Sequence, residues 1–259
     1  MKLAYLVSAL VLSGLTLSAH AGTEMTDTKA KDPKAMVPPA RSTTDAGFYG
    51  AVFGGAQFLT DYGNQKQTIT IGGTTFNTNA NVQDGWGAAG GIKFGYNFES
   101  FDVSKGLRLQ PGVEVEGLYL GTTAKITGGT PGVSAVRNTS FNSAAGFVNG
   151  ILRFKLDSPV TPYIGLGVGG QMINEDTNAQ INGVNTGHQD SAGAFAAQAL
   201  AGVDIAVCNH VSIFTEYKFI DAIGVDIETP NVGGSGRTLN FKPDQIQQHL
   251  IVAGVKYSF

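Results

Sequence analysis

The chain has 259 residues, a formal net charge of −3 and a single cysteine, and only 14% of its residues are charged. The weak net charge gives no electrostatic reason to expect nucleic acid as a partner, and Cys208 has no second cysteine with which to form an internal disulfide. No apolar stretch of about 18 residues is present to form a transmembrane helix, and 36 glycines without helix-period apolar patterns favour an all-β chain.

The first residues carry the pattern of a secretory signal peptide. Lys2 is followed by an apolar run and by an A-x-A cleavage pattern that ends at Ala21. The next segment is polar and contains three prolines, which is typical of a disordered or extended spacer. The predicted organisation is therefore a signal peptide at residues 1 to 21, a flexible spacer at 22 to 45 and one β domain at 46 to 259.

Eight runs of alternating residues follow, and each predicts a β-strand. They lie near residues 47 to 59, 86 to 98, 107 to 120, 141 to 156, 160 to 173, 193 to 207, 210 to 221 and 246 to 259. Because successive side chains of a strand face opposite sides, each run divides into two rows. In "WGAAGGIKFGYNF", for example, Trp86, Ile92 and Phe94 share one row, and Lys93 lies in the other.

Two features favour a closed membrane barrel over a soluble β-sandwich, which is the alternative that alternation alone leaves open. Long and short connections alternate strictly along the chain, so all long loops of an up-and-down meander would lie at one end. Aromatic residues cluster toward the ends of the apolar rows, where a barrel needs its interfacial girdles. The predicted fold is an all-β, eight-stranded antiparallel up-and-down transmembrane β-barrel.

In such a barrel the charged rows face the interior. A barrel of eight strands encloses little more than its own side chains, and confined charges are costly unless they are paired. We therefore predict a lumen ion-pair network of Lys93, Arg108, Glu114, Glu116, Arg153, Asp204, Glu216 and Lys218. Lys155 and Lys256 are the weakest candidates, because they lie near strand ends, and a narrow ion path is the alternative to a filled lumen. Inward-facing Gly165, Gly167 and Gly169 would leave room for long side chains from other strands.

Six segments resemble the small outer-membrane β-barrel proteins, the group that includes the OmpA transmembrane domain, OmpX and the neisserial opacity proteins. They are "GFYGAVFGG", "GIKFGYNF", "LQPGVEVEGLYL", "TPYIGLGVGG", "VSIFTEYKFID" and "AGVKYSF". The resemblance implies the outer membrane of a Gram-negative-type cell, a periplasmic spacer, periplasmic termini and four long extracellular loops. It also implies that the barrel assembly machinery reads the last strand as an assembly signal. The matching residues are Ile251, Ala253, Val255, Tyr257 and Phe259.

Chemistry-bearing motifs are sparse. His188, His210 and His249 show no metal-ligand spacing, so we expect no metal site, and we expect no cofactor and no catalysis. The sequence thus predicts a monomeric, surface-exposed structural protein that contacts outer-membrane lipid and, through its loops, possible host or surface ligands. One alternative is a narrow porin. A more remote alternative is a lipid A-modifying enzyme with His249 as its base, for which no serine and acidic partner can be assigned.

Overall fold

The structure is a computed structural model. It describes residues 46 to 59, 65 to 71, 73 to 130, 133 to 181, 184 to 223, 237 to 241 and 245 to 259. The predicted signal peptide and spacer lie outside these residues and stay predictions. None of the described residues belongs to a helix that is long and apolar enough to cross a membrane.

The described part of the chain is built from β-strands joined by turns. The strands are β1 (Gly47–Leu59), β2 (Gln65–Ile71), β3 (Thr74–Asn97), β4 (Phe101–Ser104), β5 (Leu107–Thr130), β6 (Val133–Leu156), β7 (Val160–Ile181), β8 (Val184–Ala206), β9 (Val211–Ile223), β10 (Arg237–Phe241) and β11 (Gln245–Ser258).

Eight of these strands close into a ring in which every pairing is antiparallel. The order around the ring is β1, β3, β5, β6, β7, β8, β9 and β11. β11 then returns to β1, where Val255 lies opposite Val52. The predicted eight-stranded barrel is confirmed, and the sandwich alternative is wrong because a sandwich would leave free edges.

The two ends of the barrel differ. At one end, which we call the short-turn end, β1 begins, β11 ends, and brief turns join β6 to β7 and β8 to β9. At the other, the hairpin end, β5 and β6 pair as far as Thr130 and Val133, and β7 and β8 pair as far as Ile181 and Val184. Also at the hairpin end, β2 pairs with both β3 and β10. The short β4 pairs with the start of β5 at the short-turn end.

These extensions correct the prediction of long loops. Strands occupy residues 121 to 130, 133 to 140, 174 to 181 and 184 to 192, for which the sequence predicts loops. Alternation of apolar and polar residues marks a strand only where its two faces meet different surroundings. A hairpin that extends beyond the barrel body can keep its backbone pairing with polar residues on both faces, so its sequence lacks that mark.

The rows of the barrel strands face as predicted. All eight strands expose large apolar side chains on the outside, among them Val52, Ile92, Val115, Val148, Leu166, Phe195, Ile213 and Ile251. The interior is only partly charged, which the sequence reading missed. A buried apolar layer, made of Phe53, Leu118, Leu120, Phe147, Ile220, Leu250 and Val252, fills its middle.

Candidate functional site in the barrel interior

Inward-facing residues between the apolar layer and the short-turn end form a compact polar cluster. Seven members of the predicted network lie in it, and each is more than nine-tenths buried. They are Lys93, Glu114, Glu116, Arg153, Asp204, Glu216 and Lys218. Five different strands supply them, so the closure of the ring is what brings them together.

Glu216 joins two of the cations. Its carboxylate lies 2.7 Å from Lys93 Nζ and 2.7 Å from Lys218 Nζ, and it accepts a hydrogen bond of 2.9 Å from the Tyr163 hydroxyl. Lys93 reaches this position from β3, across the lumen from β9. The contact therefore ties together two parts of the barrel wall that β1 and β11 separate.

Glu116 is the second partner of Lys218, with Oε1 at 2.6 Å from Nζ. Its Oε2 also accepts hydrogen bonds from Asn149 Nδ2 at 3.1 Å and from Gln198 Nε2 at 3.2 Å. Ion pair and amide donors together surround this carboxylate, as a buried charge requires.

Glu114 is held by a chain that runs through a tyrosine. The Tyr49 hydroxyl donates to Glu114 Oε2 at 2.9 Å and accepts a hydrogen bond of 3.1 Å from Arg153 Nη2. Lys93 Nζ lies 3.4 Å from the same carboxylate. Tyr49 thus couples the Glu114 carboxylate to the Arg153 guanidinium.

The part of the cluster nearest the short-turn end corrects two assignments. Asp204 pairs with Arg153 at 3.5 Å and with Lys256, so Lys256 is a buried member and not a rim residue. Arg108 is only half-buried and donates to Ser100 Oγ at 3.4 Å, outside the cluster. The reason is that Arg108 lies at the start of β5, where its neighbour is β4.

Two tyrosines in the cluster lie over inward-facing glycines on neighbouring strands. A Cβ atom on Gly95 would lie 2.4 Å from the Tyr49 ring, and one on Gly202 would lie 2.5 Å from the Tyr163 ring. The missing side chains let each ring lie flat against the wall and direct its hydroxyl to a carboxylate. The sequence reading did not single out these tyrosines; an inward tyrosine beside an inward glycine is the signal that would have found them.

The charges of the cluster balance. Its cations are Lys93, Arg153, Lys218 and Lys256, and its anions are Glu114, Glu116, Asp204 and Glu216. Such a set is stable as a unit, but removal of one member leaves an uncompensated buried charge. In the part of the chain that the structure describes, no group of three His, Cys, Asp or Glu residues is placed to hold a metal ion.

An uncharged layer follows on the hairpin side of the apolar layer. Gln57 donates to Gln248 at 3.3 Å, Gln248 donates to Gln171 at 3.2 Å, and Gln171 donates to Ser143 Oγ at 2.8 Å. These residues line a small cavity together with Phe141, Ile173 and Ile246. From the short-turn end, the lumen therefore contains ion pairs, apolar side chains and amides, and the buried Glu175 lies beyond the amides on β7.

On the outside, aromatic residues form two girdles. Near the short-turn end, Phe48 stacks on Phe94, and edge-to-face contacts join Phe48 to Tyr96, Tyr96 to Phe98 and Tyr257 to Phe259. Phe58 and Trp86 mark the hairpin side. Phe48 and Phe58 are about ten residues apart on one strand, which at ~3.3 Å per residue and a tilt of ~40° separates the girdles by ~25 Å, the height of the apolar band of outer-membrane barrels.

The sequence is also similar to that of a known outer membrane protein. The chain is 28% identical over 173 residues to the outer membrane protein PagN of Salmonella typhimurium, which covers 66% of the chain and 72% of the relative. The chain is a small β-barrel protein of the outer membrane. Its exposed apolar band faces lipid, and in such barrels short turns face the periplasm and longer connections the outside.

Solved structures also overlap with the barrel protein, at low identity. Neisserial surface protein A is 17% identical with a TM-score of 0.36, and the overlap covers 83% of this chain and 99% of that one. The outer membrane protease OmpT of Escherichia coli is 8% identical with a TM-score of 0.43, covering 83% and 98%. No protein-family model matches the sequence.

Proposed function

We propose that the barrel protein is a structural, non-conducting component of the outer membrane that presents its hairpins at the cell surface. The single observation that carries the proposal is the apolar layer. Leu120 and Ile220 are at most 1% exposed, and each lies on the hairpin side of the ion-cluster residues on its own strand. An ion crossing this layer would lose its hydration without gaining a polar partner.

Planar-bilayer recordings test this proposal. We expect no steady conductance from the wild-type protein, and none from Glu114→Ala, because this variant leaves the apolar layer in place. A gel shift on boiling verifies that each preparation is folded. A steady conductance that changes in Glu114→Ala or in Arg153→Ala would instead support the porin and contradict the filled lumen.

The same proposal excludes catalysis. The Nδ1 atom of His249 lies 2.6 Å from the Tyr217 hydroxyl, and its ring packs against Phe219 on the lipid-facing side. A general base of an acyl-transfer enzyme would instead be oriented toward a nucleophile. Changes in lipid A mass that accompany expression and disappear in His249→Phe would support the enzyme and oppose our proposal.

The last strand is the proposed contact for the barrel assembly machinery. Ile251, Ala253, Val255, Tyr257 and Phe259 all face outward and remain exposed. The end of the strand adds little to the closed barrel, since the contacts of Phe259 are a backbone hydrogen bond of 3.0 Å to the Phe48 carbonyl and an edge contact with Tyr257. This suits a residue that acts during insertion.

Deleting Phe259 should therefore separate assembly from stability. We expect the amount of barrel inserted in cells to fall several-fold. The free energy of unfolding of protein refolded in detergent, measured by urea titration, should change by no more than about 0.5 kcal/mol, the range of an exposed surface substitution. Phe259→Ala is the matched control for chain length. Equal insertion of the deletion variant and the wild type would refute the assembly role.

A further inference from the structure

At the hairpin end, the sheet that extends beyond the ring lacks a described strand at one position. β2 follows β1 and pairs with β3 as β1 does, and β10 precedes β11 and pairs with β2 as β11 pairs with β1. β2 and β10 therefore continue the positions of β1 and β11. β9 ends at Ile223, opposite Phe195, whereas β8 begins at Val184. We call the position beyond β9, between residues 184 to 194 of β8 and Arg237–Phe241 of β10, the slot.

The two walls of the slot match each other in height, spacing and direction. Continuing the registers of β8 with β9 and of β9 with β11 toward the hairpin end places Arg237 at about the level of Gly187 and Leu239 at about the level of Gln189. Two strand spacings, roughly 10 Å, separate the walls. β8 and β10 also run in the same direction, since every pairing between them around the sheet is antiparallel. One extended strand can therefore pair antiparallel with both walls at once.

The main chain of β8 directs alternate residues into the slot. The Ala206 N–H donates to the Pro159 carbonyl on the β7 side at 3.0 Å, and the Val207 N–H donates to the Val211 carbonyl on the β9 side at 3.0 Å. The pairing of β7 with β8 continues from there to Val184 without a register shift. Odd-numbered residues of β8 therefore keep their N–H and C=O groups on the β9 side. Beyond Phe195 these groups face the slot, and they include those of Asn185, Gly187, Gln189 and Gly193.

Neither wall carries the features that usually protect the edge of a sheet. Residues 184 to 194 and 237 to 241 contain no lysine and no proline, and β8 has no bulge against β7. Gln189 and Gly193 are exposed, so the β8 wall is open to solvent. The two charged residues of the walls, Asp190 and Arg237, are opposite in sign. A ligand of the slot is therefore recognised mainly through its main chain, and a strongly charged one gains nothing there.

We propose that the slot binds an extended peptide segment of low net charge from a protein outside the cell. The segment pairs antiparallel with β8 and β10 through its main chain and completes the sheet at the hairpin end, which is strand addition to an exposed edge. Such a segment contains no proline and is rich in β-branched residues, because these favour the extended conformation. The inference rests on the proposed function, since it requires the hairpin end to lie at the cell surface.

A binding measurement with a defined peptide tests the slot. The probe is a fluorescein-labelled peptide of 11 residues, made of threonine, valine and asparagine, and the control is the same peptide with N-methyl groups on alternate residues. We expect the folded protein in detergent to bind the control about tenfold more weakly by fluorescence anisotropy, which corresponds to about 1.4 kcal/mol. Gln189→Pro should cause a similar loss, because proline removes an N–H that faces the slot. Gln189→Ala is the matched variant and should bind as the wild type does, since it also loses the 3.3 Å bond to Asp176 but keeps that N–H.

Hydrogen exchange followed by mass spectrometry shows where the peptide binds. Amides of residues 184 to 194 should exchange faster than those of residues 195 to 206, which pair on both sides, and the peptide should slow the first group alone. Slow exchange of residues 184 to 194 without peptide would mean that another part of the chain, such as residues 224 to 236, fills the slot, and it would overturn the proposal.

Equal binding of the methylated and unmethylated peptides would also overturn the proposal, and so would wild-type affinity in Gln189→Pro. A gel shift on boiling verifies that each variant is folded, and if Gln189→Pro does not fold, the methylated peptide decides the question on the wild-type protein. The planar-bilayer recordings are independent of these results. A steady conductance would contradict the filled lumen, whereas a peptide that does not bind would contradict the slot alone.

Discussion

Replacing Lys218 with methionine should destabilise the folded barrel by about 3–5 kcal/mol, the range measured when one partner of a buried ion pair is removed. Lys218 is 0% exposed and contacts Glu116 at 2.6 Å and Glu216 at 2.7 Å. Glu216 keeps Lys93 as a partner, whereas Glu116 keeps only amide donors. The loss should appear as a lower urea midpoint of vesicle-reconstituted protein, followed through the fluorescence of Trp86, the single tryptophan.

Two matched variants separate this effect from a general loss of packing. Adding Glu116→Gln to Lys218→Met should recover a large part of the stability, because the double variant no longer buries an unpaired carboxylate. Lys256→Met should cost less than Lys218→Met, because Asp204 retains Arg153 at 3.5 Å. If Lys218→Met unfolds at the wild-type midpoint, the cluster does not stabilise the barrel in the way we describe.

Gly169→Ala should also destabilise the barrel, by about 1–3 kcal/mol, as overpacking of a filled interior does. A Cβ atom at Gly169 would lie 1.9 Å from the carbonyl oxygen of Gly146 and 2.9 Å from Phe147 Cα. Both are backbone atoms, so β6 and β7 would have to separate locally. We expect a lower urea midpoint and a lower yield of the form that shifts on boiling.

Gly117→Ala is the matched control, since a Cβ atom there would have no heavy atom within 4 Å. Gly117 faces outward on β5. Alanine at such a position restricts the unfolded chain, so this variant should be neutral or more stable by up to about 1 kcal/mol. Similar losses in both variants would point to strand propensity and not to the close approach of two strands.

The strand rows could be predicted from sequence because their period is fixed by geometry. Once Lys93 and Glu116 fall in rows opposite Ile92 and Val115, closing the sheet leaves no choice about which row meets lipid. This is why seven of the predicted network residues lie together in the interior. Knowing the row of each residue was therefore enough to predict that part of the site.

Height along the lumen could not be predicted in the same way. A row tells which way a side chain faces, whereas the layer it occupies depends on the stagger of all eight strands. Lys256 was therefore one of the weakest candidates for the network although it pairs with Asp204, and Arg108 was predicted in the network although it contacts Ser100. The inward Leu118 and Leu250 were missed for a related reason, since the reading equated the interior with the charged rows.

The closing pair of the ring also constrains how the barrel forms. β1 and β11 come from opposite ends of the folded domain, and Tyr49 lies opposite Ser258. Contacts of such high sequence separation form slowly, because the loop-closure entropy is lost before the contacts are gained. Until β11 arrives, β1 has an unsatisfied edge and Glu216 lies on a sheet that is still open. The time between synthesis and closure is therefore when the chain is most exposed to aggregation and proteolysis, and a change that slows closure would lower its abundance without weakening the finished barrel.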